Sequence, residues 1–170
     1  MKEVPMKFRA SAAALLAGAL LAGCVTQPAP LRGDYPAITP EDAAAGDRTG
    51  ASVRWGGRVI EVEPQAARTC FTMLSTRLDA SGRPDRGSEA TGGRFLACRE
   101  GFYDPAVFAA DREVTFTGRI DGYENRRIGE YDYRFPRVAA DVVYLWPERE
   151  DVRVIVHQDP YPWHHGWWWW

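Results

Sequence analysis

An all-β body is what this sequence predicts, and three observations carry it. Apolar side chains alternate through Glu113–Asp121 (EVTFTGRID), where Val114, Phe116 and Ile120 fall on one face. Runs rich in β-branched and aromatic residues recur at Arg68–Leu78, Arg94–Arg99 and Tyr131–Trp146, separated by clusters of Gly, Pro and Asp. Between the third and fourth runs, Asp104-Pro105 opens a short helical stretch, Pro105–Ala110, with Asp104 as its cap. The order is strand, strand, strand, short helix, strand, strand, which is that of a small OB-like barrel of five to six strands. A small open β-sandwich is the alternative that periodicity alone leaves open.

The expected body spans residues 51–156. Val53, Trp55, Val59 and Ile60 flank Gly56-Gly57, which suits a bent or bulged first strand. The second strand is Arg68–Leu78, and Asp79–Gly93 supplies polar turn residues before the third strand, Arg94–Arg99. After the fourth strand, Gly122–Gly129 reads as a Gly- and Arg-rich turn. The fifth strand, Tyr131–Trp146, is interrupted at Pro136, and Val152–Val156 offers a sixth strand or edge.

Composition bounds the function. The chain has 170 residues, 45% hydrophobic and 26% charged, with 21 Lys+Arg against 23 Asp+Glu. These are globular values, and the formal net charge of −2 gives no reason to expect a nucleic-acid partner. Both lysines, Lys2 and Lys7, lie near the start, beside Arg9. Residues 10–23 then form a 14-residue run without charge. That is the layout of a secretory signal, and it falls short of the roughly 18 apolar residues a spanning helix needs.

The run ends Leu21-Ala22-Gly23-Cys24, which resembles the bacterial lipoprotein signal. A thiol at Cys24 can form the thioether to diacylglycerol, and the small residues before it let a peptidase approach the backbone. Residues 1–23 are then the signal peptide and Cys24 the lipidation site. An ordinary signal peptide with a chance Cys is the competing reading. Acyl chains stabilise membrane attachment by about 0.8 kcal/mol per buried methylene, so several chains anchor firmly. Val25 follows, with no Asp nearby, which in the usual sorting pattern favours the outer over the inner membrane. Residues 24–50 contain Pro28, Pro30, Pro36 and Pro40 with many small residues and read as a flexible tether. Thr39 and Pro40 are suited to start one short helix there.

Cys70 and Cys98 remain, an even pair in an oxidising compartment, and a disulfide is expected. If the second and third strands form an antiparallel hairpin centred on Pro84, the two fall opposite one another. Residues 157–170 form an aromatic tail holding Trp163 and Trp167–Trp170, five of the seven Trp in the chain. Trp favours the membrane interface and also stacks on sugars and proteins, so contact with membrane, with a partner or glycan, or with the body itself are the three readings.

No catalytic residue, metal or cofactor is expected. His157, His164 and His165 are the only histidines and lack companion ligands other than Asp159. Nucleophile-elbow, zinc-protease, P-loop and dinucleotide motifs are absent. Carboxylate pairs such as Asp132/Asp141 or Glu148/Glu150 are of the kind scattered surface acids produce. Arg126-Arg127, with Arg119 and Arg134, suggests an anion patch, against which stands simple pairing with Asp121, Glu124 and Glu130.

The segments Arg54–Val62, Arg83-Pro84-Asp85, Gly93–Phe108 (GRFLACREGFYDPAVF), Glu113–Gly122 and Tyr133–Trp146 follow one another in an order that resembles the Slp family of starvation-inducible outer-membrane lipoproteins. The resemblance covers roughly residues 50–147. It implies a lipid-anchored outer-membrane protein with an all-β body, associated with stress or stationary phase. It transfers one residue, Cys24, as the lipidation site. The Cys70/Cys98 pair and the Trp167–Trp170 run are not family expectations. The functional expectation is a non-catalytic role in envelope maintenance or stress, with the body facing the periplasm. An OB-type module binding an envelope oligosaccharide or peptide is the first alternative, and a periplasmic hydrolase the second.

Overall fold

The computed structural model describes residues 26–87 and 90–149. Cys24, the candidate edge Val152–Val156, Glu150, the three histidines, Trp163 and Trp167–Trp170 lie outside the described residues.

Five strands close into a barrel: β1 (Ser52–Pro64), β2 (Arg68–Thr76), β3 (Thr91–Glu100), β4 (Glu113–Ile128) and β5 (Tyr131–Leu145). The order around the ring is β1-β2-β3-β5-β4. Only β3 and β5 run parallel, through Leu96–Cys98 against Arg137–Ala139, and the other pairs are antiparallel. This is the five-stranded OB-like ring expected from the order of the elements.

β1 belongs to both neighbours. Residues 52–58 pair with β4 and residues 57–64 with β2, so the strand turns a corner at Gly57. A Cβ on Gly57 would lie 1.9 Å from the Leu74 carbonyl oxygen, and one on Gly118 would lie 2.2 Å from that of Ala139. Close approach of neighbouring backbones therefore requires glycine at both positions. The bulge expected at Gly56-Gly57 falls instead at Ile60, where the register slips between Val59 and Glu61.

Inward residues of the five strands fill the ring. Val53, Trp55, Val59, Phe71, Met73, Phe95, Ala97, Val114, Phe116, Ile120 and Val138 form one buried cluster. Edge-on ring contacts order it: Trp55 on Phe95 at 5.3 Å and Phe95 on Phe116 at 6.0 Å between centroids.

Three expectations need correction. The helix Pro105–Ala110 is a single capped turn. Asp104 Oδ1 accepts from Ala106 N, and the Asp104 carbonyl accepts from Val107 and Phe108 N. The turn stops because Tyr103 and Phe108 are drawn onto Phe71, at 5.5 and 5.2 Å between centroids. The expected turn Gly122–Gly129 is largely strand. β4 continues to Ile128, and Gly122 marks a register slip within the β4–β5 pairing. Pro136 does not interrupt β5; it sits opposite Tyr123 within the ladder.

The third correction concerns residues 26–50, expected as a free tether. A 3-10 turn, Ala29–Leu31, buries Leu31 completely, and helix α1 (Pro40–Ala45) buries Ala43 in the barrel cluster. Thr39 caps α1 as its residue type suggests. Its Oγ1 accepts from Asp42 N at 3.1 Å, and Asp42 Oδ2 accepts from Thr39 N at 3.0 Å. Trp55 Nε1 donates to the Ile38 carbonyl at 2.6 Å, tying the segment to β1. A few apolar residues spaced among prolines are enough to hold this segment down.

Gly118→Ala should cost about 1–3 kcal/mol or more, because the new methyl meets a neighbouring backbone that cannot swing away. Gly46→Ala is the matched control. Its Cβ would meet only the Asp42 carbonyl oxygen at 3.9 Å, and its stability should stay within about 0.5 kcal/mol. Thermal melts of the two variants test the difference.

Candidate functional site

The described chain begins and ends against the same loop. Residues 79–87 connect β2 to β3 and are internally braced. Asp79 Oδ1 accepts from Ser81 N, Ser81 Oγ and Arg83 N, and Gly82 takes a left-handed φ of 84°. The Leu78–Pro84 bridge closes the loop's neck.

On one side lies the segment leading to Cys24. Arg54 Nη1 donates to Gln27 Oε1 and to the Leu31 carbonyl, both at 3.0 Å. A Cβ on Gly82 would meet Gln27 Nε2 at 2.9 Å and Leu31 Cδ1 at 3.5 Å, so these residues lie directly on the loop. On the other side lies the segment leading to the aromatic run. Arg83 Nη2 donates to the Pro147 carbonyl at 2.6 Å, and Arg149 Nη2 to that of Pro84 at 2.9 Å. Thr115 joins the two sides. Its Oγ1 donates to the Gly82 carbonyl at 2.8 Å and accepts from Trp146 Nε1 at 2.9 Å.

Glu113 is the electrostatic centre of this end. It opens β4 and is only 2% exposed, yet it carries a carboxylate. Arg83 Nε and Arg86 Nε each donate to it at 2.6 Å, and Arg149 Nε approaches at 3.2 Å. Burial pushes the Glu113 carboxyl up, but hydrogen bonds from Arg83 and Arg86 and the charge of Arg83 outweigh it. The carboxyl is held below the ordinary glutamate value. Arg83 also stacks over the Trp146 ring at 5.6 Å. The arrangement fixes the outgoing chain to the 79–87 loop through charge-assisted bonds.

A pH dependence follows. A carboxyl depressed in the folded state stabilises the fold above its unfolded value, and that contribution is lost as pH falls through the folded value. Glu113→Gln should cost about 1–3 kcal/mol at pH 7, by leaving three guanidiniums without their shared acceptor. The gap between wild type and variant should narrow below the ordinary value of 4.5. Melting temperatures at pH 7, and through the acid range below that value, check this.

The other residues singled out in the sequence are placed as follows. Cys70 and Cys98 face one another in the β2–β3 ladder, and their sulfurs are bonded, with Cα atoms 4.1 Å apart. Arg126 lies on β4, not in a turn, and pairs with Glu63 at 2.9 Å and Glu124 at 2.7 Å. Arg134 stacks over Tyr123 at 3.7 Å and donates to the Ala44 and Gly46 carbonyls. Both are occupied within the fold, and Asp121 pairs with Arg137 instead. Asp132 and Asp141 sit at separate positions along β5, and Glu148 pairs with Arg112. Among the described residues, no group of three His, Cys, Asp or Glu could hold a metal ion. No described helix is long and apolar enough to cross a membrane.

The model of the outer membrane lipoprotein Slp family matches residues 21–170. That span covers most of the chain and includes Cys24. The chain belongs to the Slp family. This Slp-family chain is 32% identical over 153 residues to "Uncharacterized lipoprotein YeaY" of Escherichia coli (strain K12), covering 86% of this chain and 77% of that protein. It is 31% identical over 138 residues to "Outer membrane protein Slp" of the same strain, covering 78% and 72%. Among solved structures it is similar to a small single-stranded DNA-binding protein from Streptomyces coelicolor, at 14% identity and a TM-score of 0.35, covering 56% of this chain and 94% of that one. That likeness carries nothing about ligand. As a member of its family, the protein is an outer-membrane lipoprotein with a strand-rich body.

Sequence reasoning missed the Glu113 cluster. Its partners are separated from it by 27 to 36 residues and share no motif. The available signal was a lone acid at the head of an otherwise apolar strand, a position that requires a guanidinium partner once buried.

Proposed function

We propose that this protein is a non-catalytic envelope lipoprotein, anchored through acylated Cys24 and presenting its barrel to the periplasm, with a role in envelope maintenance under starvation or stress. The observation that carries this is the path of the chain toward Cys24. Gln27 and Leu31 are pinned to the barrel, so a lipid on Cys24 sits three residues from the fold, within about 11 Å of it. The barrel is thereby held close against the membrane surface. A filled apolar interior suits a structural or binding role better than a reaction chamber.

The test is a strain lacking the protein, grown into stationary phase. It should admit more of a normally excluded dye than the parent, and the wild-type chain should restore the barrier. A Cys24→Ser chain, cut loose from the membrane, should not. Unchanged dye entry in stationary and starved cells would remove the maintenance role.

One observation favours a second reading, an OB-type module for an envelope oligosaccharide or peptide. Tyr131 is 70% exposed beside Tyr133, with centroids 6.5 Å apart, and the two line a groove with Glu41, Thr91 and Arg134. Rings of this kind stack on sugars. Peptidoglycan fragments should then shift the Tyr131 and Tyr133 ring signals in nuclear magnetic resonance spectra, and absence of any shift removes this reading.

A further inference from the structure

We infer that residues 161–170 form a second membrane contact beside the lipid anchor, with the 79–87 end of the barrel turned toward the bilayer. This rests on the reading of Cys24 as the anchor and adds a second point of attachment to it. The geometry is carried by described residues. Leu31 and Gln27 touch Gly82, while Arg149 is bonded to Pro84. Gly82 and Pro84 are two residues apart, so the incoming and outgoing chains are held at points no more than about 7 Å from each other. A membrane that holds the acyl chains of Cys24 is therefore also adjacent to the point where the chain leaves toward Trp163.

The glutamate–arginine cluster makes that placement firm. Pro147 and Arg149 are hydrogen-bonded to the loop, and Trp146 is buried and bonded to Thr115. From Arg149 to Trp163 is 14 residues, a reach of up to about 50 Å. That is ample to meet a bilayer beside the loop.

The chemistry of the segment matches the lipid interface. Tyr161, Trp163 and Trp167–Trp170 bring six aromatic rings into ten residues, and those ten carry no acid, Lys or Arg. Indole favours the headgroup boundary because its ring is apolar while its N–H stays wet. The barrel offers little competing surface. Its interior is filled, and the exposed large apolar side chains among the described residues are Ile60, Phe102, Val107 and Tyr131, spread over three elements. A neutral aromatic segment should also hold to lipid with little dependence on salt, unlike a basic patch.

The test uses the full lipidated chain, reconstituted in phosphatidylethanolamine–phosphatidylglycerol vesicles that contain a lipid brominated on its acyl chains. Bromine quenches nearby Trp fluorescence. Trp55 and Trp146 are buried in the fold and should stay bright. With five of the seven Trp in residues 163–170, bromination should lower total emission about twofold, equally at low and high salt. A chain carrying Trp163→Ser, Trp167→Ser, Trp168→Ser, Trp169→Ser and Trp170→Ser should still float with the vesicles but lose the quenching. A lipidated chain that floats without quenching overturns the inference and leaves the anchor intact, whether the rings pack on the barrel or on a protein. Quenching by a chain whose Cys24 proves unacylated overturns the anchor and leaves the aromatic contact. A chain that neither floats nor quenches overturns both.

Discussion

Replacing Cys70 and Cys98 together by serine should lower stability by about 3.6 kcal/mol and the melting temperature by on the order of 15–20 °C, the largest effect on folding expected from any surface of the barrel. The two residues are 28 apart in sequence, and the closed loop includes the 79–87 segment that receives both ends of the chain. Without the bridge the unfolded chain regains the freedom of that loop, while the folded barrel keeps its β2–β3 ladder. The variant should therefore fold, with a lower midpoint and a native strand signal. Protein folded in the periplasm should weigh two hydrogens less than its dithiol form and resist alkylation until reduced. Ready alkylation of both thiols, with a melting temperature unmoved by the double substitution, would show that the bridge plays no part.

The largest effect on behaviour should come from the anchor. Exchanging residues 1–24 for a cleavable secretory signal without a lipidation site leaves the barrel, the glutamate–arginine cluster and the aromatic run in place. Washed membranes should then retain at least about tenfold less of the protein, because stable attachment needs more than one buried chain. The aromatic segment alone gives a reversible contact that dilution disperses. The released protein should keep the melting temperature of the anchored one, since no described residue depends on residues 1–24 for its place in the core.

Much of this fold was legible because a half-buried strand writes its pattern into sequence. Val114, Phe116 and Ile120 alternate and line the barrel, and the β2–β3 hairpin pairs Cys70 with Cys98 about a centre at Pro84. What escaped was set by partners distant in sequence. Arg126 looked like a turn residue, yet Glu63 and Glu124 neutralise it on a strand that continues to Ile128. Asp104-Pro105 carried a helix-start signal that one capped turn satisfies, because packing on Phe71 takes Tyr103 and Phe108. Residues 26–50 read as a tether because small residues and proline dominate. The burial of Leu31 and Ala43 depends on surfaces that only the closed barrel creates.

The candidate site divides the same way. Cys24 stands out from its local context alone, and the aromatic run from its composition. Their shared exit at the 79–87 loop was hidden, since it depends on Gly82, Thr115 and Trp146 meeting across 31 to 33 residues. The glutamate–arginine cluster was hidden for the same reason.

The account turns on one sulfur. Mass spectrometry of the mature protein extracted from outer membranes reads it directly. The prediction is a first residue Cys24 bearing a diacylglycerol thioether and an acylated amine, with residues 1–23 gone. A mature chain that starts elsewhere, or a Cys24 with a free thiol, would contradict it.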